Sequence, residues 1–382
     1  MTQKQRQIIY YGWLGNYNLG DEAIYKAIQN IFASYQFIPV PADTFYGFDR
    51  GYSPVTIVGG STGIPDWLDS LWPTRYSYIF GSGVKDQSAY VYDYLFRCVR
   101  GKPKVQVWIN RLKAFRYIGV RGEISKNALA KWGIDSTVIG DPGFSLKPSS
   151  SVKRNGKKIA VNFGSDSILW GMSDEAVFRE ITGVVRNLKK AGYEVVLVPF
   201  NVKDAPNMRK LASQESVSFF DDWFNVESTV NLFASCMMTI GERVHSLVLS
   251  AAAGTPFISL EYQPPCYEIA QSVGFGDYNV RTDVISEEKV LRLFGNLLEN
   301  YDEMRKSLLT NVDAYRGKQA EFASQISQDI ESLPERYWNA SKIRKATDNL
   351  FWRTDVVLNE RDPKLWNAWD SLFFSRILKY LP

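Results

Sequence analysis

The sequence holds one histidine in 382 residues, and it stands in the run Gly241-Glu242-Arg243-Val244-His245. Imidazole is the side chain whose ordinary pKa lies near neutrality, so proton transfer at pH 7 points first to His245. Arg243 lies two positions earlier. In an extended segment residues i and i+2 face the same side, and a turn into a helix brings them together as well. A cation and a proton donor that face one ligand suit an anionic substrate. A second arginine, Arg121, comes directly after the apolar run Tyr117-Ile118-Gly119-Val120. Placed at a cleft edge, its guanidinium fork would hold a phosphate or carboxylate. The alternative is a surface ion pair with Glu123.

Three loops rich in small residues could also meet a ligand. The first is Gly15-Asn16-Tyr17-Asn18-Leu19-Gly20-Asp21-Glu22-Ala23, between an apolar run and a helical segment. Its glycines allow close backbone approach, and a helix N-terminus attracts anions and hydroxyl groups. The spacing is neither the dinucleotide fingerprint nor the phosphate-binding loop, so no NAD site is expected. Asp21 and Glu22 could accept hydrogen bonds from sugar hydroxyls, and either could act as a general base. The plainer reading makes Asp21 the helix N-cap and Glu22 a first-turn partner of the helix dipole. The other loops are Gly59-Gly60-Ser61-Thr62-Gly63 and Gly81-Ser82-Gly83.

These loops need strands to hold them. Ile8–Gly12, Pro54–Val58, Tyr78–Phe80, Val105–Ile109, Tyr117–Val120 and Val138–Ile139 read as buried strands, with helices over Asp21–Ala33 and Ser125–Trp132. The polar, serine-rich stretch 147–158 has the composition of a linker. Strands then follow at Lys158–Phe163, Glu194–Pro199, Val217–Phe220, Met237–Ile240 and Pro256–Leu260. Helices over Asp174–Ala191, Val226–Ala234 and His245–Ala253 lie between them. Short apolar strands alternating with helices predict parallel sheets covered on both faces. The expected fold is α/β, with two doubly wound domains facing a cleft: 1–150 on the acceptor side, 151–330 on the donor side, and a helical extension over 331–382. In such sheets ligands bind at the carboxyl ends of the strands, where all the loops above lie.

Composition narrows the function. The 45 basic and 41 acidic residues leave a net charge of +4 without a dense basic block, which argues against nucleic acid. Aromatic residues make up 14% of the chain, a content that serves protein cores and sugar-stacking surfaces alike. Cys98, Cys236 and Cys266 lack metal-type spacing and read as reduced thiols of a cytoplasmic protein. No cluster of ligand spacing suggests a metal. The polar N-terminus does not read as a signal peptide, and no stretch reaches the roughly 18 apolar residues of a membrane span.

Taken in order, the loops resemble the polysaccharide pyruvyl transferase family. The residues that carry the resemblance are Gly15 to Ile24, Gly59-Gly60, Gly81-Ser82-Gly83, Val120-Arg121 with Ser125 and Leu129, Gly140-Asp141-Pro142, Arg243-Val244-His245, Ala252, Gly254-Thr255-Pro256 and Tyr262. The likeness runs from about residue 8 to 275. It implies a fold like that of the GT-B glycosyltransferases, with phosphoenolpyruvate as co-substrate and no further cofactor. The reaction implied is transfer of pyruvate to a cell-surface polysaccharide or its lipid- or nucleotide-linked precursor. By the match, Arg243 and Arg121 would bind the donor and His245 would be the general acid; the base, read from the first loop and not from the match, would be Asp21 or Glu22. Asn16, Asn18, Gly20, Glu22, Gly60, Ser61, Gly83 and Tyr262 would line the acceptor side or the cleft. Two departures stand out: Pro265 where the resemblance expects a lysine, and Ser61-Thr62 where it expects more glycine.

The tail 331–382 lies outside the resemblance. It holds Trp338, Trp352, Trp366 and Trp369, and Leu365, Trp369, Leu372, Phe373, Ile377 and Tyr380 fall on one helical face. That face suits a peripheral contact at the inner side of the cytoplasmic membrane. It equally suits packing on the N-terminal domain or on a second subunit, and the short, mildly basic helix favours packing. Two other functions fit the same architecture: a glycosyltransferase using a nucleotide sugar, and a non-catalytic glycan-binding or assembly protein.

Overall fold

A computed structural model describes residues 6–41, 53–60, 64, 76–84, 105–164, 174–334 and 338. The strands are β1 (Gln7–Gly12), β2 (Gln36–Pro41), β3 (Thr56–Val58), β4 (Ser77–Ser82), β5 (Tyr117–Val120), β6 (Thr137–Val138), β7 (Asn155–Asn162), β8 (Glu194–Leu197), β9 (Ser218–Phe219), β10 (Cys236–Gly241), β11 (Phe257–Glu261) and β12 (Asn279–Arg281). They form two six-stranded sheets in the orders β2-β1-β3-β4-β5-β6 and β12-β11-β10-β7-β8-β9. Every pairing is parallel. The expected α/β fold with two doubly wound units is what the chain adopts.

The helices are α1 (Leu19–Ile31), α2 (Val105–Leu112), α3 (Glu123–Ala130), α4 (Asp174–Lys190), α5 (Ala205–Glu215), α6 (Val226–Ser235), α7 (Val244–Ala252), α8 (Pro264–Ser272), α9 (Glu287–Glu299) and α10 (Tyr301–Glu331). Two of them tie the halves together. In α1, Leu19, Ala23 and Ala27 share a face at i, i+4 spacing and join the core of the second sheet. Ile24 and Ile28, one position on, join the core of the first. Helix α10 has 31 residues, about 46 Å at the ordinary rise. Its Leu308 and Val312 pack in the second core, and Phe322, Ala323, Ile326 and Ile330 in the first. Between them, Arg316 donates to the carbonyls of Phe144, Leu146 and Ala252, and Gln319 to that of Asp141.

Several local expectations are corrected. Val105–Ile109 is not a strand but the first part of α2: Trp108 and Leu112, four apart, share a buried helical face. The cap of α1 is Asn18, whose Oδ1 accepts from Gly20 N at 3.1 Å, not Asp21. Helix α3 begins at Glu123 after Gly122, so Ser125 sits inside it rather than capping it. The run after β6 closes as a 3₁₀ turn over Pro142–Ser145, with Asp141 as its cap. The last residues of the stretch 147–158 belong to β7, which begins at Asn155. Strand β2, helix α5 and everything from α8 onward went unread in the sequence. Of the tail, residues 331–334 and Trp338 are described; Trp338 packs on the first core, with the guanidinium of Arg6 5.1 Å from its ring. The apolar face from Leu365 to Tyr380, and Cys98, lie outside the described residues. Among the described residues no helix is long and apolar enough to cross a membrane.

Candidate active site

Strand β10 ends at Gly241, and the chain must turn at once into α7. A Cβ on Gly241 would lie 2.3 Å from Ser246 Oγ, so only glycine leaves room for this turn. Ser246 donates through its amide (2.8 Å) and its hydroxyl (2.6 Å) to the Arg243 carbonyl. The Arg243 amide donates to Asn162 Oδ1 at 2.8 Å, fastening the turn to the end of β7. Arg243 and His245 therefore project from a braced strand-to-helix turn.

Both side chains line a small pocket of about 50 Å³, with Asn18, Asn201, Tyr262 and Gln263. The wall is built from loops that follow β1, β8, β10 and β11, the carboxyl ends where open α/β sheets bind ligands. The two halves meet there. Asn18 and Asn201 form an antiparallel bridge, and Leu19 N donates to Phe200 O at 2.9 Å. The Arg243 guanidinium makes a forked pair with Asp204, with Nη2 to Oδ1 at 2.6 Å and Nε to Oδ2 at 3.2 Å. It stands 5.6 Å from the Tyr262 ring centroid.

His245 is buried under the N-terminus of α1. A Cβ on Gly20 would lie 2.0 Å from its Nδ1, so any larger residue there must push the ring or the helix aside. On the other side His245 Nε2 lies 3.8 Å from Asp141 Oδ2. Neither atom has a hydrogen-bond partner among the described residues. Burial, aided by the nearby charge of Arg121, pushes the imidazole down to about 3. Burial raises the Asp141 carboxyl to about 6, against the lowering effect of Arg121 and of the Gly143 amide. At pH 7 the pair is thus a neutral imidazole beside a mostly ionised carboxylate.

Arg121 is neither at the cleft edge nor paired with Glu123. It is fully buried, and its Nε and Nη2 donate to Glu268 Oε2 at 3.1 and 3.0 Å. Ser125 donates to the same carboxylate through its amide (2.7 Å) and hydroxyl (3.0 Å). Glu268 comes from α8 in the second half, so this cluster clasps the two halves together. The expected partner failed because a buried cation needs a buried anion, and Glu123 is exposed at the start of α3.

The remaining expected residues divide. Asn18, Arg243, His245 and Tyr262 converge on the pocket, and Gly20 packs on His245. Asp21 is buried away from the pocket lining, where its charge helps hold the Tyr10 hydroxyl protonated. Glu22 accepts from the Gly15 amide at 3.0 Å, and Asn16 donates to the Leu14 carbonyl at 3.2 Å, so both shape the first loop. Gly60 follows β3 at a φ of +132°, and the Gly83 carbonyl accepts from Ile64 N at 3.4 Å; neither lines the pocket. Ser61 lies outside the described residues. Pro265 is buried in the first turn of α8, a position that suits proline.

Three acidic residues were given no role in the site by the sequence: Asp141, which entered only within the run Gly140-Asp141-Pro142, and Asp204 and Glu268, which went unread. The first two had a local signal, since each stands at the cap position of a helical turn with proline at its start. Glu268 lies 147 residues from Arg121, and nothing local marks it.

Fold and site define a two-domain α/β protein with a polar pocket at the junction of its sheets. The same architecture is seen in the UDP-N-acetylglucosamine 2-epimerase from Rickettsia bellii, with TM-score 0.55 and 8% identity over 85% of this chain and 96% of that one. It is also seen in a UDP-glucosyltransferase from Polygonum tinctorium, with TM-score 0.51 and 12% identity over 87% and 100%. Residues 18–264 match the family described as polysaccharide pyruvyl transferase, and the chain belongs to that family. A relative in sequence is the amylovoran biosynthesis protein AmsJ of Erwinia amylovora, 25% identical over 95 residues. That match spans about a quarter of each protein. Membership puts the chain in a transferase family of polysaccharide modification.

Proposed function

We propose that this protein transfers pyruvate from phosphoenolpyruvate to a polysaccharide or its lipid- or nucleotide-linked precursor, closing a ketal and releasing phosphate. The observation that carries the reading is the meeting of Arg243 and His245 at one pocket between the halves, with Asp141 behind the imidazole. The family and the relative named for amylovoran biosynthesis support a polysaccharide as acceptor.

The reaction asks for an anion site and a proton. Phosphoenolpyruvate carries a phosphate and a carboxylate, and the partly exposed Arg243 offers the fork that grips such groups. A proton delivered to C3 turns the methylene into a methyl and leaves C2 electrophilic. One sugar hydroxyl attacks C2 and gives up its proton. The C2–O bond to phosphate breaks, with the electron pair leaving on oxygen. A second hydroxyl then attacks C2, gives up its proton and closes the ketal. Two C–O bonds form and one breaks; of the two hydroxyl protons, one replaces the proton spent on C3 and the other leaves on phosphate. His245 is neutral before the donor arrives. The donor's negative charge raises the proton affinity of the His245–Asp141 pair, so the pair gains the proton it delivers. Arg121 acts from behind, through its field, rather than as a ligand. A donor of this kind places the reaction in the cytoplasm.

The test is phosphate release from phosphoenolpyruvate with the purified protein and a panel of sugar acceptors. His245→Ala should lower turnover by about 10²-fold or more, and unchanged turnover would remove the acid role. Millimolar phosphoenolpyruvate should raise the thermal midpoint, as any ligand specific to the native state does. Release of a nucleotide from a nucleotide sugar in the same assay would identify a glycosyltransferase instead.

A further inference from the structure

Three exposed apolar side chains stand on three loops beside this pocket, two of them next in sequence to residues that line it. Tyr17 is 61% exposed, Val202 49% and Phe224 40%. The Tyr17 and Phe224 rings lie 5.6 Å apart between centroids, tilted by 42°. Trp223 braces Phe224 from behind, edge-on at 5.3 Å. Val202 N donates to the Tyr17 carbonyl at 3.3 Å. The chain neighbours of this group, Asn18 and Asn201, belong to the pocket wall, so the patch and the pocket form one surface. Tyr17 also has a φ of +48°, a left-handed conformation that costs a bulky residue free energy. Nothing in the core profits from that cost, since the ring it presents points to solvent.

We propose that Tyr17 and Phe224 form the acceptor subsite, on which a sugar ring of the glycan stacks while its hydroxyls reach the pocket. A pyranose has an apolar face of C–H groups and a rim of hydroxyls. Aromatic faces bordered by the amides of Asn18, Asn201 and Gln263 match both features. A contiguous exposed apolar patch beside a polar pocket marks a binding surface rather than a scattered surface residue. Tyr17 comes from the first half and Phe224 from the second, so a stacked sugar bridges the two. The inference rests on the reading that the acceptor is a glycan, and it holds whatever the donor.

The test is affinity electrophoresis through gels containing exopolysaccharide of the producing organism, freed of pyruvyl ketals by mild acid and run without phosphoenolpyruvate. The wild type should be retarded. Tyr17→Ala with Phe224→Ala should bind about tenfold more weakly, and Tyr17→Phe should bind like the wild type because stacking does not use the hydroxyl. Equal retardation of wild type and double variant, or none in either, overturns the subsite. So does a concentration-dependent dimer of the wild type that the double variant lacks, since the patch would then serve a second copy. The two readings fail separately. A protein that binds the glycan through these rings yet releases no phosphate refutes pyruvyl transfer alone, and one that releases phosphate regardless of the rings refutes the platform alone.

Discussion

Gly20→Ala probes the seat of His245 more sharply than any change at the histidine itself. Gly20 lies in the first turn of α1 and has ordinary helical φ, so alanine there should gain up to about 1 kcal/mol from helix propensity. The added methyl, however, would stand 2.0 Å from His245 Nδ1 and 2.4 Å from Cγ. Ordinary contact begins near 3.4 Å, so the imidazole or the helix must move by more than an ångström. Overpacking of this kind costs about 1–3 kcal/mol. The single variant should therefore range from neutral to about 2 kcal/mol less stable in urea unfolding. A displacement of that size at a reacting group costs about 10²-fold in rate. The decisive measurement is the double-mutant cycle. In a His245→Ala background the ring contacts are gone and only the Cβ contact, at 2.8 Å, remains, so the cost of Gly20→Ala should fall, with a coupling of about 1–3 kcal/mol. The same penalty in both backgrounds would refute the contact on which the whole site is built.

Further predictions follow from the electrostatics. Calorimetry of phosphoenolpyruvate binding at pH 7, in buffers of different ionisation enthalpy, should show proton uptake that His245→Ala or Asp141→Asn diminishes; zero uptake in the wild type would refute the loading of the pair. His245 is held below its ordinary 6.5, so its contribution to stability is present above pH 6.5 and lost as pH falls towards 3. Asp141 is raised from 3.8 to about 6, so its contribution is present below 3.8 and lost as pH rises through 6. Acid unfolding between pH 6.5 and 4 should accordingly flatten in His245→Ala and steepen in Asp141→Asn. Glu268→Gln leaves the Arg121 charge buried without its counter-charge and should cost about 3–5 kcal/mol in urea unfolding, whereas replacing both partners with apolar residues should cost less. Arg243→Lys keeps the charge but loses the fork, and should abolish most of the thermal shift given by phosphoenolpyruvate.

Much of this was legible before the structure. Apolar runs such as Ile8–Tyr11 and Val195–Leu197 announced buried parallel strands, the chemistry of the loops behind them singled out Arg243, His245 and Asn18, and the resemblance added Tyr262; all four line one pocket. Where local pattern misled, a tertiary contact decided. Val-Gln-Val-Trp-Ile alternates like a strand, yet burial of Trp108 and Leu112 on one face makes it helical. Asp21 has the composition of a cap, but Leu19 and Gly20 already belong to the helix, so Asn18 takes the role. The ion pairs were the least legible part. Arg121 pairs with Glu268 and Arg243 with Asp204 across 147 and 39 residues; the first choice is made by the packing of the two halves, the second by two loops brought together at one edge of the second sheet.

Those two pairs also decide which arginine can meet a donor. Arg121 is fully buried, and its partner Glu268 carries the Ser125 amide and hydroxyl as well. Drawing this guanidinium towards a ligand would break a network that joins both halves, and would leave a buried carboxylate short of its cation. Arg243 differs on both counts. Its side chain keeps 13% of its surface exposed. Asp204 Oδ2 also accepts from the amides of Phe200 (3.3 Å) and Asn201 (3.1 Å), so the aspartate stays hydrogen-bonded if Arg243 turns to another anion. Asp204 thus occupies the place on Arg243 that a phosphate or carboxylate would take. Asp204 is itself buried, but its exchange breaks no contact between the halves, which is why the arginine next to His245, and not the one behind it, is suited to bring an anion to the imidazole.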